Sequence, residues 1–89
     1  MTHYKDPSER LDYVIDWSPW LAESSDTIAS AVCSYSGVSE YAAPIVTSTT
    51  VRIWVDGGVD KSNATVTCQV TTAGGRIGER TIGIRIRER

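Results

Sequence analysis

The chain has 89 residues, of which 40% are hydrophobic and 22% charged, and its net charge is −2 at pH 7. This length suffices for one domain and excludes two, and the hydrophobic share is typical of a folded domain. The negative net charge argues against a molecule built to attract nucleic acid, and no apolar run approaches the roughly 20 residues of a transmembrane helix. We therefore expect one domain over residues 1–89, made in the cytosol, because no signal-peptide stretch is visible.

Residues 1–10 predict an N-terminal arm with one short helical turn. Asp6 stands at an N-cap position, Pro7 at the first helical position and Glu9 three residues after the cap, which is a capping-box pattern. The chain's one histidine, His3, lies in this arm, where a terminus is usually loose. We therefore expect His3 to be solvated and to take no part in chemistry.

Alternating apolar and polar residues fill the rest of the chain and predict β-strands. The segment TIASAVCSY alternates as well, but its core face is ambiguous. The other apolar positions expected to face a core are Leu11, Tyr13, Ile15, Trp17, Val51, Ile53, Val55, Val66, Cys68, Val70, Ile82, Ile84 and Ile86. Turn signals separate the runs, namely Pro19, Gly37, Pro44, the Gly57–Gly58 pair and the hairpin loop TTAGGR. The spacing predicts an all-β fold, a small antiparallel immunoglobulin-like sandwich.

The sequence lacks the residue combinations that an active site or a metal centre requires. Asp12 and Asp16 share one face of a strand about 13 Å apart, which exceeds the carboxylate separations of glycosidases, so a solvated acidic face is expected. A structural zinc site wants four Cys or His ligands, and the only such residues in the chain are Cys33, Cys68 and His3. We expect no enzymatic activity, no metal and no cofactor.

The two cysteines are a candidate core pair. Cys33 lies in the second apparent strand and Cys68 in the penultimate one, and in an immunoglobulin-like sandwich such positions can face each other across the core. Either two buried thiols or a disulfide fits this arrangement. A reducing cytosol favours the thiols.

Charge is divided between the two ends of the chain. Six acids and two bases lie before Thr27, whereas five arginines and two glutamates lie from Arg76 to Arg89. Arg85 and Arg87 alternate with inward isoleucines, and together with Trp54 they could form a basic face that stacks bases. Outward arginines also protect edge strands, and no nucleic-acid motif is present, so a protein partner is preferred over nucleic acid.

Tryptophan raises two further possibilities. Trp20 and Trp54 could contact host surface sugars, which would make the chain a carbohydrate-binding module. A single outward Trp is better support for a protein interface, where Trp and Arg are enriched. The candidate protein-interface residues are Trp54, Arg85 and Arg87 on one outer sheet face, with Asp12 and Asp16 at the acidic end.

Four segments, in this order, resemble a family of small structural proteins of tailed bacteriophages, the fibre-tail adaptors with an immunoglobulin-like fold. The segments are KDPSERLDYVIDWSPWL, DTIAS, TTVRIWVDGG and TTAGGRIGERTIGIRIRER. The region from Val32 to Val46 matches least, and Cys33 stands where a large apolar residue is expected.

The resemblance implies a virion component made in the host cytoplasm and assembled in several copies, as a ring or another multimer. Its partners would be other virion proteins at the neck, the tail-fibre attachment or the capsid surface. From the net charge, the missing motifs and the absence of a long apolar run, we expect no nucleic-acid, membrane or small-molecule partner.

Overall fold

The computed structural model describes residues 2–88, which form two β-sheets packed face to face. The elements in chain order are β1 (Thr2–Lys5), β2 (Leu11–Asp16), α1 (Ser18–Ala22), β3 (Ile28–Ser36), β4 (Ser39–Val46), β5 (Thr50–Asp56), β6 (Asn63–Thr72) and β7 (Ile77–Ile86). One sheet has the order β1-β7-β6-β3 and the other the order β2-β5-β4. This arrangement confirms the all-β sandwich. The β1–β7 pairing is parallel, and the other pairings are antiparallel.

The strand pairings follow the immunoglobulin pattern. Strands β3, β6 and β7 correspond to the C, F and G strands of a constant-type domain, and β2, β5 and β4 to its B, E and D strands. The chain crosses from one sheet to the other between β3 and β4, at Gly37. Gly37 has φ +82°, and a Cβ there would meet the Cβ of Ala64 at 3.0 Å. Glycine is therefore required where the two sheets join.

The core forms between the sheets from the apolar half of each alternating strand. Among the residues whose burial the structure describes, 3–88, fifteen hydrophobic residues are buried, and they include every predicted inward residue of β5, β6 and β7. On β2, Ile15 is buried, whereas Leu11 and Tyr13 are half-buried. The ambiguous strand β3 turns Cys33 and Tyr35 toward the core, and Val32, with 71% of its surface exposed, faces solvent.

The N-terminal residues are part of the sandwich. The rings of His3 and Tyr13 pack against each other at a tilt of 39°, with centroids 4.4 Å apart, and Lys5 is fully buried. The expectation that His3 is solvated in a loose terminus was therefore wrong, because pairing with β7 fixes β1.

The predicted capping pattern occurs in the turn between β1 and β2. The Asp6 N–H donates to Glu9 Oε1 at 2.8 Å, and the Glu9 N–H donates to the Asp6 carbonyl at 3.0 Å. The helix itself lies elsewhere. It is α1, where Pro19 occupies the first turn and Leu21 enters the core. Among residues 2–88 no helix is long and apolar enough to cross a membrane.

Candidate protein interfaces on the two outer sheet faces

The outer face of the β2-β5-β4 sheet carries an aromatic centre with charged and apolar neighbours. Register places Trp54 of β5 between Asp12 and Ala42, and places Arg52 between Val14 and Ile45. These side chains point outward because the alternate residues of β5 fill the core. We call this surface the aromatic face; it consists of Arg10, Asp12, Val14, Tyr41, Ile45, Arg52, Trp54 and Asp56.

In one half of the aromatic face, around Trp54 and Tyr41, the side chains are held by contacts between aromatic rings and one arginine. Trp54 and Tyr41 meet edge to face with centroids 6.2 Å apart. The Arg10 guanidinium carbon lies 3.8 Å from the Tyr41 ring centroid, and its Nη2 lies 3.1 Å from Asp56 Oδ2. The hydrogen bond from Arg10 is the main cause that lowers the pKa of Asp56. Arg10 is thus held in place by a ring and a carboxylate.

The other half of the aromatic face, around Arg52, combines an ion pair with exposed apolar side chains. Arg52 forms an ion pair with Asp12 across β5 and β2. Beside it, Val14 is 46% exposed and Ile45 is 53% exposed. Asp16, on the same strand face, accepts a hydrogen bond from the Ser18 N–H at 2.9 Å, and hydrogen bonding by Ser18 lowers its pKa. Asp12 and Asp16 therefore share a face, as predicted, and Asp12 is paired with Arg52.

The structure corrects the expected grouping of Trp54 with the C-terminal arginines. Arg85 lies in β7, between Tyr4 of β1 and Asn63 of β6, on the other sheet. Arg87 follows the end of β7, and its N–H donates to the Lys5 carbonyl at 2.8 Å. The two arginines thus occupy the outer face opposite to that of Trp54. Sequence alternation predicted that they point outward, but alternation does not say which strands share a sheet.

Arg85 and Arg87 are exposed, and neither forms an ion pair with any residue between 2 and 88. Their neighbours on this outer face are uncharged hydroxyl and amide side chains such as Thr65, Thr67 and Asn63. Arg89 lies outside the described residues. Both guanidinium groups are therefore available to carboxylates on another molecule.

A family model described as podophage GP4 fiber-tail adaptor protein gp77 matches residues 5–85 of the chain. The chain belongs to this adaptor family. A search of curated protein sequences found no match. Membership confirms the resemblance read from the four segments, and it makes the chain a structural adaptor and a component of a phage virion.

The remaining arginines of the adaptor fold back onto its own tryptophans. The Arg76 guanidinium carbon lies 4.3 Å from the ring centroid of Trp20, and that of Arg80 lies 4.6 Å from the centroid of Trp17. Arg80 also donates to the Asp16 carbonyl at 2.8 Å. Trp20 is half-buried and packs against the core with Arg76 over its ring, which weakens the case for a two-tryptophan sugar platform.

The cysteine pair of the adaptor lies within one sheet. Cys33 of β3 and Cys68 of β6 are direct cross-strand partners, and both are free thiols. The expectation that they face each other across the core was wrong, because β1 is also a strand and shifts the strand count by one. Cys33 stands on the third strand, which neighbours β6, and not on the second strand of the opposite sheet.

One cleft of about 340 Å³ opens between β2 and β7 of the adaptor. It is lined by Val14, Ile15, Asp16, Arg80, Thr81 and Ile82. Within the described residues β1 pairs with β7 from Gly83 onward, so no strand among residues 2–88 pairs with residues 80–82 of β7 on that side. Within residues 2–88, no three His, Cys, Asp or Glu side chains gather as a metal site would require.

Proposed function

We propose that this adaptor is non-enzymatic and binds another virion protein through its aromatic face. The observation that carries the proposal is the edge-to-face contact of Trp54 with Tyr41, flanked by the exposed Val14 and Ile45. Trp, Tyr and Arg are the residues enriched at the centres of protein interfaces, where a few of them dominate the binding energy. A fitting partner would cover the two aliphatic side chains and accept a hydrogen bond from the Trp54 indole.

Two arginines of the aromatic face are already ordered before a partner binds. Arg10 contacts a ring and a carboxylate, and Arg52 forms an ion pair with Asp12. Side chains that are ordered before association lose less conformational entropy when a partner docks. Arg10 is held by Tyr41 and Asp56, and Arg52 by Asp12. These charges would lie at the rim, where they mainly orient the encounter.

An adaptor has to join at least two molecules, and the separation of Trp54 from Arg85 and Arg87 suits that need. We infer that the aromatic face binds one virion protein, and that the two arginines bind carboxylates on a second protein or on a sister copy. A planar guanidinium holds a carboxylate through two parallel hydrogen bonds. Copies linked in this way would form a ring or another multimer.

The test is trans-complementation of a phage that lacks the adaptor gene. Trp54→Ala combined with Tyr41→Ala should leave the domain folded by circular dichroism and should strongly reduce the adaptor or the fibre protein in purified particles. The control is Val32→Ala, which also trims an exposed apolar side chain but lies on the other sheet. Normal particle composition with the folded double variant would refute a role for the aromatic face.

A further inference from the structure

The two thiols of the adaptor are arranged as a dithiol site. Cys33 and Cys68 are directly opposite each other on adjacent antiparallel strands, and both side chains lie on the core side of the sheet. Opposed residues in an antiparallel ladder have Cα atoms about 4.5–5.5 Å apart, within the range that a disulfide spans. The Cα spacing of such a cross-strand pair is therefore compatible with a disulfide.

We propose that Cys33 and Cys68 form a redox-active pair that is converted into a cross-strand disulfide by small-molecule disulfides. Nothing in the adaptor role requires this chemistry, and the proposal does not depend on which proteins the adaptor binds.

The two cysteines differ in exposure, which orders the proposed reaction. Cys68 is fully buried, whereas Cys33 is half-buried on the edge strand β3. A hydrogen bond between the two thiols lowers the pKa of Cys33, and the same contact together with burial raises the pKa of Cys68. Because the thiolate is the nucleophile, Cys33 attacks first and Cys68 resolves the intermediate.

The reaction balances with oxidised glutathione as the oxidant. The Cys33 thiolate attacks one glutathione sulfur, a mixed disulfide forms, and one glutathione leaves as a thiolate. The Cys68 sulfur then attacks the Cys33 sulfur and expels the second glutathione. Two protein thiols lose two electrons, oxidised glutathione gains them, and the two thiol protons end on the two glutathione molecules.

The disulfide would link the exposed edge strand β3 covalently to its neighbour β6. β3 is the outermost strand of its sheet, and its residues from Ile28 to Ser36 include no charge and no proline, the usual protections of an edge. A disulfide to β6 would hold this edge in register. Virion surfaces are an oxidising environment in which disulfides persist, whereas a cytosol keeps thiols reduced, so the bond would close after the particle leaves the cell.

The experiment treats the full-length reduced chain with oxidised glutathione, alkylates remaining thiols under denaturing conditions, and measures intact mass and melting temperature. We expect the loss of two hydrogen atoms, no alkylation, a peptide that links Cys33 to Cys68, and a melting temperature raised by roughly 10 °C. Dithiothreitol should reverse all four changes. Two alkylatable thiols after prolonged treatment would overturn the proposal.

Three variants separate the roles of the two sulfur atoms. Cys68→Ala should accumulate a mixed disulfide with glutathione at Cys33, whereas Cys33→Ala should react far more slowly at Cys68. The control adds Val32→Cys to Cys33→Ala, which places an accessible thiol on the opposite face of β3. That variant should keep its glutathione adduct and form no internal bond. Faster reaction at Cys68 than at Cys33, or internal bonding in the control, would contradict the proposed order and geometry.

Discussion

The buried ammonium group of Lys5 donates a hydrogen bond of 2.6 Å to the carbonyl of Gly57. The same Nζ donates to the Asp6 carbonyl at 2.9 Å. Lys5 ends β1 in one sheet, and Gly57 follows β5 in the other, so a single side chain joins the N-terminal strand to the opposite layer. Burial lowers the pKa of Lys5, and the nearby Asp56, Glu9 and Asp6 carboxylates oppose that effect.

Replacing Lys5 should therefore destabilise the fold. Lys5→Met keeps the apolar stem but leaves the two partly buried carbonyls of Asp6 and Gly57 without this donor, which should cost about 1–3 kcal/mol of unfolding free energy. Urea denaturation measures the loss. Lys61→Met, at an exposed lysine, should change the free energy by less than about 0.5 kcal/mol. Equal effects at the two lysines would mean that the Lys5 hydrogen bonds contribute nothing.

Tyr35 should make the fold sensitive to alkaline pH. Its hydroxyl is buried without a hydrogen-bond partner among residues 2–88, and burial raises its pKa to about 12. An unfolded tyrosine ionises near pH 10, so between about pH 10 and 12 the folded chain binds more protons than the unfolded chain. Stability contributed by this group is complete below pH 10 and falls as pH rises through that interval.

The substitution Tyr35→Phe tests this pH dependence. At pH 7 the variant should be as stable as the parent or more stable by up to about 1 kcal/mol, because it removes a buried unpaired hydroxyl. Above pH 10 it should lose stability less steeply in urea titrations. Tyr4→Phe, at a ring that is 60% exposed, is the matched control, since it removes a tyrosine hydroxyl outside the core. Identical slopes for Tyr35→Phe and the parent would show that Tyr35 does not cause the alkaline loss.

Ile84 should be one of the most costly residues to truncate. It is 1% exposed and lies in the middle of the inward row of β7. Ile84→Ala should lower the unfolding free energy by roughly 2–5 kcal/mol, a large share of the stability of a small domain. Val32→Ala, at an exposed position of β3, should cost less than about 0.5 kcal/mol in the same urea experiment. A small loss at Ile84 would be inconsistent with its place in the core.

The inward residues were predicted correctly in strands that have one apolar face and one polar face. β5, β6 and β7 alternate clearly, so their inward residues could be assigned by period alone. β3 carries small or apolar residues on both faces, and pairing with β6 decides which face is inward. β1 has the sequence THYK, which does not alternate, and only its partner β7 makes it a strand.

Prediction of the candidate sites was limited in the same way, because the sequence does not show which strands pair. The contact of Trp54 with Tyr41 needs the irregular register of β4 against β5, which no local pattern encodes. The cysteine pair was predicted, but its placement required knowing that β1 precedes the other strands. Local alternation predicted which residues point outward, and tertiary pairing determined which of them meet.

Charge reversal at Arg85 and Arg87 tests the second proposed interface. Both side chains are exposed, and neither pairs with a carboxylate between residues 2 and 88, so Arg85→Glu with Arg87→Glu should alter stability by only about 0.5 kcal/mol per site. A partner surface that supplies carboxylates would repel the new glutamates, so the folded variant should fail to enter particles in the complementation assay. Lys61→Glu, an exposed reversal that changes net charge as much as either single substitution, should enter normally. If the folded double variant is incorporated at the parental level, Arg85 and Arg87 form only a solvated strand face.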